Sequence, residues 1–141
     1  MYKYKCKVIK VVDGDTVDVD IDLGFGVWLK NQRVRLHGID APESRTRDKR
    51  EKKFGLLAKN FLIRELGETC VLETKKDKKG KFGRILGIFH GYDFGTQRWM
   101  SINDIMIRDK LVVAYYGQSK DSIKEDHEKN FAYLEENGED V

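Results

Sequence analysis

The sequence predicts an α+β fold: a small five-stranded β-barrel of OB type carrying three α-helices, in a single domain over residues 1–141. Five segments have strand patterning and run mostly as hairpins. One amphipathic helix is inserted after the third strand, and two helices follow the fifth. At 141 residues the chain is long enough for one domain with a sizeable core. Patterning alone leaves other α+β folds open.

Residues 2–12 read as the first strand, with Tyr2, Tyr4, Cys6 and Val8 on one face and Lys3, Lys5 and Lys7 opposite. Asp13-Gly14-Asp15-Thr16 is a tight turn. The second strand alternates Val17, Val19, Ile21 and Leu23 inward with Asp18, Asp20 and Asp22 outward, so these three acids read as a solvated face rather than a metal site. Gly24-Phe25-Gly26 breaks the run, and residues 27–36 supply the third strand. Residues 44–53 read as a polar, basic loop. Phe54, Leu57, Ala58, Phe61, Leu62 and Leu66 then recur at helical spacing, up to a stop at Gly67.

Residues 69–75 and 82–89 flank Lys76-Asp77-Lys78-Lys79-Gly80, a hairpin signal. Residues 91–96 read as a loop. Ser101-Ile-Asn-Asp104 resembles a capping box and opens a short helix to about Lys110. After the apolar residues 111–114 come Tyr115-Tyr116-Gly117, either core or a base-stacking platform. Ser122 and Glu125 form a second capping box. Ile123, His127, Phe131 and Leu134 carry the last helix to Asn137-Gly138, with His127 read as a helix-face residue.

Composition narrows the function. Charged residues make up 36% and hydrophobic residues 40%, and a net charge of +3 is too small to argue for nucleic acid by itself. Basic patches at residues 45–53 and 75–81 are the local features that attract polyanions. Cys6 and Cys70 match no metal-ligand spacing and are expected as free thiols. The scattered His37, His90 and His127 argue against zinc. No stretch has the length and apolarity of a membrane span, and the first residues lack a signal-peptide core. The expectation is a protein that stays in the cell, or one from which a leader has been removed.

The chemistry concentrates in Arg33-Val-Arg-Leu-His-Gly-Ile-Asp-Ala-Pro-Glu43. Pro42, the chain's one proline, fixes its own φ and holds Ala41 extended, which directs the Ala41 carbonyl close to the Asp40 carboxylate. Hard oxygen donors on a stiff turn are what calcium or magnesium requires. Arg35 offers a planar fork that fits a phosphate. Carboxylates and an arginine gathered here suggest metal-assisted attack on a phosphate ester.

Three separated segments carry a resemblance: Asp13-Gly14-Asp15-Thr16, Arg35-Leu36 with Asp40-Ala41-Pro42-Glu43, and Lys81-Phe82-Gly83-Arg84. In order and separation they resemble the signature segments of the staphylococcal nuclease (thermonuclease) family, over about residues 8–134. The resemblance implies an OB-type five-stranded barrel with three helices. It also implies a calcium-dependent phosphodiesterase that cuts DNA and RNA and leaves 3′-phosphate ends. Asp15 and Asp40 would be carboxylate ligands of Ca2+, and Ala41 would add its backbone carbonyl. Glu43 would sit beside the metal and a water, as general base or as the group that positions the water. Arg35 and Arg84 would grip the scissile phosphate. Lys81, Tyr115 and Tyr116 would be nucleic-acid contacts, the tyrosines lying near the family's nucleotide-stacking pair. The expected partners are DNA and RNA, with no membrane and a monomeric state. Ala41 stands where some members have threonine, which is harmless if only the carbonyl binds metal. Phe82 stands where some have tyrosine, so a hydroxyl contact to a terminal phosphate is missing.

A competing reading is a non-catalytic OB-fold nucleic-acid-binding module. A third treats the carboxylates and arginines as structural ion pairs. Retention of Asp15, Arg35, Asp40, Glu43 and Arg84 favours the nuclease, because a module that only binds has no need of the full set.

Overall fold

The computed structural model describes residues 2–75, 84–93 and 95–138, and for Arg84, Tyr92 and Asp93 the backbone alone. β1 (Lys3–Asp13), β2 (Thr16–Gly24) and β3 (Val27–Leu36) form an antiparallel meander. β1 pairs on its other edge with β5 (Thr69–Lys75), and β5 pairs with β6 (Arg84–Asp93). A parallel pairing of β3 with β6, from Arg33 opposite Arg84 to Leu36 opposite Gly87, closes these five strands into a barrel. α1 (Lys49–Leu66), α2 (Ile102–Arg108) and α3 (Lys120–Glu136) complete the expected α+β, OB-type architecture. Two short pieces extend it. β7 (Arg98–Ser101) adds to β6, and β4 (Ile39–Asp40) pairs with β8 (Val113–Ala114).

The barrel is filled by the alternating positions of its strands. Val17, Val19, Ile21, Val34, Leu36, Leu72 and Phe89 are buried, and α1 covers them with Ala58, Leu62 and Leu66. A smaller cluster joins α1 to α3, where the rings of Phe54 and Phe131 stack at 4.6 Å beside Leu134. Burial of an aromatic or aliphatic side chain of this size contributes about 1.5–3 kcal/mol.

Several local expectations change. In β1 the register against β2 slips between Val8 and Lys10, so Ile9 is an extra, exposed residue and Val11 turns inward. Leu23, expected inside, is exposed next to the turn between β2 and β3. The acids of β2 are not a plain solvated face. Asp20 is only 5% exposed. It accepts the Asn31 N–H at 2.8 Å, and this bond is the main cause holding its carboxyl below the usual range. Asp18 takes a two-pronged contact from Arg33, at 2.9 and 3.1 Å, which lowers its pKa in the same way.

The basic run at residues 44–53 is partly helix. Asp48 caps α1 by accepting the N–H groups of Arg50 and Glu51, so the helix starts at Lys49. Arg50 reaches across to Glu128 at 2.6 Å and Glu135 at 2.8 Å on α3, and both contacts raise its pKa further. Ser101 caps α2 as its capping box predicts, whereas Ser119 rather than Ser122 caps α3. β6 runs through Gly91 to Asp93, inside the segment expected to be loop. Cys6 and Cys70 stand opposite each other on β1 and β5 as free thiols. The hairpin signal at residues 76–80 lies outside the described residues.

Candidate active site

The site begins at the β1–β2 turn. Gly14 allows the chain to pass close to its neighbours: a Cβ there would lie 2.8 Å from the Ala58 Cβ and 2.9 Å from the Ala41 Cβ. Gly55 on α1 does the same for the segment after Pro42, since a Cβ there would collide with the backbone of Glu43 and lie 2.7 Å from the Ser44 nitrogen. Ser44 N–H also donates to Asp13 Oδ1 at 3.3 Å. The two signature segments are thereby fastened to each other and to α1.

The corner after β3 is pinned from below. Leu36 N–H donates to the Asp15 carbonyl at 2.8 Å, and His37 N–H donates to the Gly87 carbonyl at 2.7 Å. Buried Asn103 donates to the carbonyls of His37 at 2.9 Å and Gly87 at 3.2 Å, and accepts the Phe89 N–H. Such a fully bonded buried amide fixes backbone direction, because leaving any of its groups unmatched costs about 1–3 kcal/mol. The β4–β8 pair then sets Asp40 opposite Val113, and Tyr115 N–H donates to the Gly38 carbonyl at 2.8 Å.

Three of the expected residues meet directly through their side chains. Arg35 sits opposite Thr16 in the β2–β3 register, and its Nη1 lies 2.7 Å from Asp15 Oδ2. Its Nη2 donates to the Ile39 carbonyl at 3.2 Å and lies 3.6 Å from Asp40 Oδ1. Asp15 also accepts the Ala41 N–H at 3.1 Å and the Thr16 hydroxyl at 3.0 Å. The Asp15 and Arg35 side chains are 14% and 19% exposed, so their attraction is screened less than that of a surface pair. Asp40, at 31%, opens more to solvent. A fourth residue, not expected here, completes the group: His127 on α3 places Nε2 2.8 Å from Asp40 Oδ2.

The remaining expected residues sit around this group. Ala41 and Pro42 are buried. Glu43 is exposed, and its N–H donates to Glu51 Oε2 at 3.1 Å. Among the described residues no three acids, histidines or cysteines come close enough together to hold a metal ion, so Glu43 does not form such a cluster with Asp15 and Asp40. Arg84 opens β6 opposite Arg33, two residues along the strand from Arg35. Lys81 lies outside the described residues. Tyr115 and Tyr116 are 44% and 77% exposed, and Gln118 braces their loop by accepting the Tyr116 N–H and donating to the Ala114 carbonyl.

Residues 33–140 match the family described as staphylococcal nuclease homologue. The chain belongs to the staphylococcal nuclease family. It is 31% identical over 131 residues to the micrococcal nuclease of Shigella flexneri, covering 89% of this chain and 68% of that protein. It is 38% identical over 81 residues to the thermonuclease of Staphylococcus hyicus, covering 57% of this chain and 44% of that one. The thermonuclease of Staphylococcus intermedius is 36% identical over 80 residues, with 56% and 44% covered. The chain thus spans between about two fifths and two thirds of the length of these relatives. Family membership and these relatives support a nuclease. In that family setting, and among the described residues, Asp15, Arg35 and Asp40 are charged members of the signature segments joined by side-chain contacts.

Proposed function

We propose that this chain is a calcium-dependent nuclease that hydrolyses phosphodiester bonds of DNA and RNA as a monomer and leaves 3′-phosphate ends. The observation that carries the reading is one guanidinium, that of Arg35, held between the carboxylates of Asp15 and Asp40 in a member of a nuclease family. Two carboxylates that converge on one positive charge, with the Ala41 carbonyl next in the chain and no thiolate among them, are hard oxygen donors of the kind a divalent cation such as calcium takes. Asp15, Asp40 and the Ala41 carbonyl would hold the ion, with water filling the remaining positions. When bound, calcium shields phosphate charge and orients a water for attack.

The chain's own residues supply the rest. Arg35 and Arg84 offer forked donors to the phosphate oxygens, where negative charge builds in the transition state. Glu43, exposed at the rim, receives the water's proton or holds that water in line. Tyr115 and Tyr116 present ring faces for bases to stack on, and Lys81 adds charge for the backbone. Magnesium is expected to be a weaker activator than calcium, since it demands stricter octahedral geometry.

Incubation of labelled single-stranded DNA with the protein checks this reading. Cleavage is expected with calcium and none with a chelator. Undiminished cleavage after exhaustive chelation would remove the metal role. Binding without cleavage in calcium would favour the non-catalytic OB-fold module.

A further inference from the structure

We infer that His127 is a positioning residue for the metal site: it holds the Asp40 carboxylate in the orientation that calcium binding needs. The inference rests on the calcium reading above. Asp40 is held from two sides, by Arg35 Nη2 at 3.6 Å from Oδ1 and by His127 Nε2 at 2.8 Å from Oδ2. The shorter of the two contacts comes from α3, an element that belongs to neither signature segment at the site. Asp40 needs such a hold. It lies in a two-residue strand and its side chain is 31% exposed, so without a partner its carboxylate is free to turn towards solvent.

The ring of His127 is itself well fixed. Its side chain is 12% exposed, and it packs against Phe131 with centroids 6.0 Å apart. Its Nδ1 is buried with no hydrogen-bond partner, so the ring's polar contact among the described residues is the one to Asp40. Phe131 in turn stacks on Phe54 of α1, and Asn130 Nδ2 donates to the Val112 carbonyl at 3.2 Å, beside the strand that pairs with Asp40. α3 is therefore seated through the turn that follows the histidine. A donor on a rigid helix that bonds Asp40 Oδ2 fixes the carboxylate plane and leaves Oδ1 on the side of the Arg35 guanidinium, which also contacts Asp15, the other acid proposed to hold the ion. Removing outer contacts of this kind typically weakens metal affinity about 10–100-fold.

The test is calcium affinity measured by isothermal titration on the folded, metal-free protein, for the parent, His127→Leu and His127→Gln. Leucine keeps the volume on α3 and removes the donor, whereas glutamine keeps an N–H donor. The expected result is a calcium Kd raised about 10-fold or more by leucine and largely restored by glutamine. A purely structural role would lower the unfolding temperature of the leucine variant without moving the Kd of the folded protein. His127→Asn, too short to reach Asp40, gives a second donor-deficient variant should leucine not fold. A donor-deficient Kd within about twofold of the parent, or tighter than it, overturns the inference while the calcium reading stands. A parent that takes up no calcium overturns both.

Discussion

Exchanging Arg35 for lysine is expected to lower kcat/KM on single-stranded DNA by about 10²-fold or more, equivalent to roughly 2.7 kcal/mol of transition-state stabilisation. The guanidinium reaches three acceptors at once: Asp15 at 2.7 Å, the Ile39 carbonyl at 3.2 Å and Asp40 at 3.6 Å. An ammonium keeps the charge but is a single point and cannot span them while also presenting a fork to phosphate. The same exchange at Arg84 is expected to be similarly damaging. Steady-state kinetics at saturating calcium, beside a melting curve to show that the variant is folded, give the answer. Recovery of most of the rate by lysine would reduce Arg35 to a point charge.

Asp15→Asn should unfold at a lower temperature than the parent in chelator, and the gap should widen in calcium. Crowded acids considered alone give the opposite sign. At about 5 Å and an effective dielectric of about 20, a pair of like charges costs roughly 3 kcal/mol at most, so removing one charge would stabilise. The position of Arg35 decides the matter. Asp15 is paired with that guanidinium and also accepts from Ala41 N–H and the Thr16 hydroxyl, so its charge is compensated without metal. Loss of the carboxylate leaves Arg35 with the longer contact to Asp40, at a cost of about 1–3 kcal/mol and several degrees in Tm. Calcium at about a hundred times its Kd adds roughly 2.7 kcal/mol to the parent and little to the variant. A variant as stable as the parent in chelator would mean that repulsion between Asp15 and Asp40 outweighs the hold of Arg35.

Much of the barrel could be read from period alone. Val17, Val19 and Ile21 are buried where alternation puts them, and Ser101 caps α2 where its box predicts. What escaped depends on contacts between distant segments. The bulge at Ile9 changes which residues of β1 face inward, and no propensity marks it. Asp20 becomes buried because the Asn31 N–H of the next strand turns towards it. Arg50 joins α1 to acids on α3, so a run that reads as a basic loop is half helix. At the site, the segments holding Asp15, Arg35 and Asp40 stood out as motifs. His127 lies 87 residues from Asp40, and its one signal was a titratable ring in the apolar stripe of Ile123, Phe131 and Leu134. That pattern says the ring is covered but not what it touches.

The parallel seam between β3 and β6 also has a kinetic side. The meander of β1, β2 and β3 forms through hairpins and already sets Arg35 beside Thr16. Closure against β6 must wait for the long intervening chain, with α1 in it, to return, and contacts between remote segments form late because their loop entropy is spent first. The His37 corner hangs on that seam through Gly87 and Asn103, so it is expected to assemble after the meander and to open locally before it. Hydrogen exchange at the His37 amide should therefore run faster than at the β1–β2 amides. Equal protection would mean that the barrel opens only as a whole. If the corner does open by itself, Asp40 loses its place while the hydrophobic interior is still intact, and the site blinks off in a molecule that every probe of global folding would count as native.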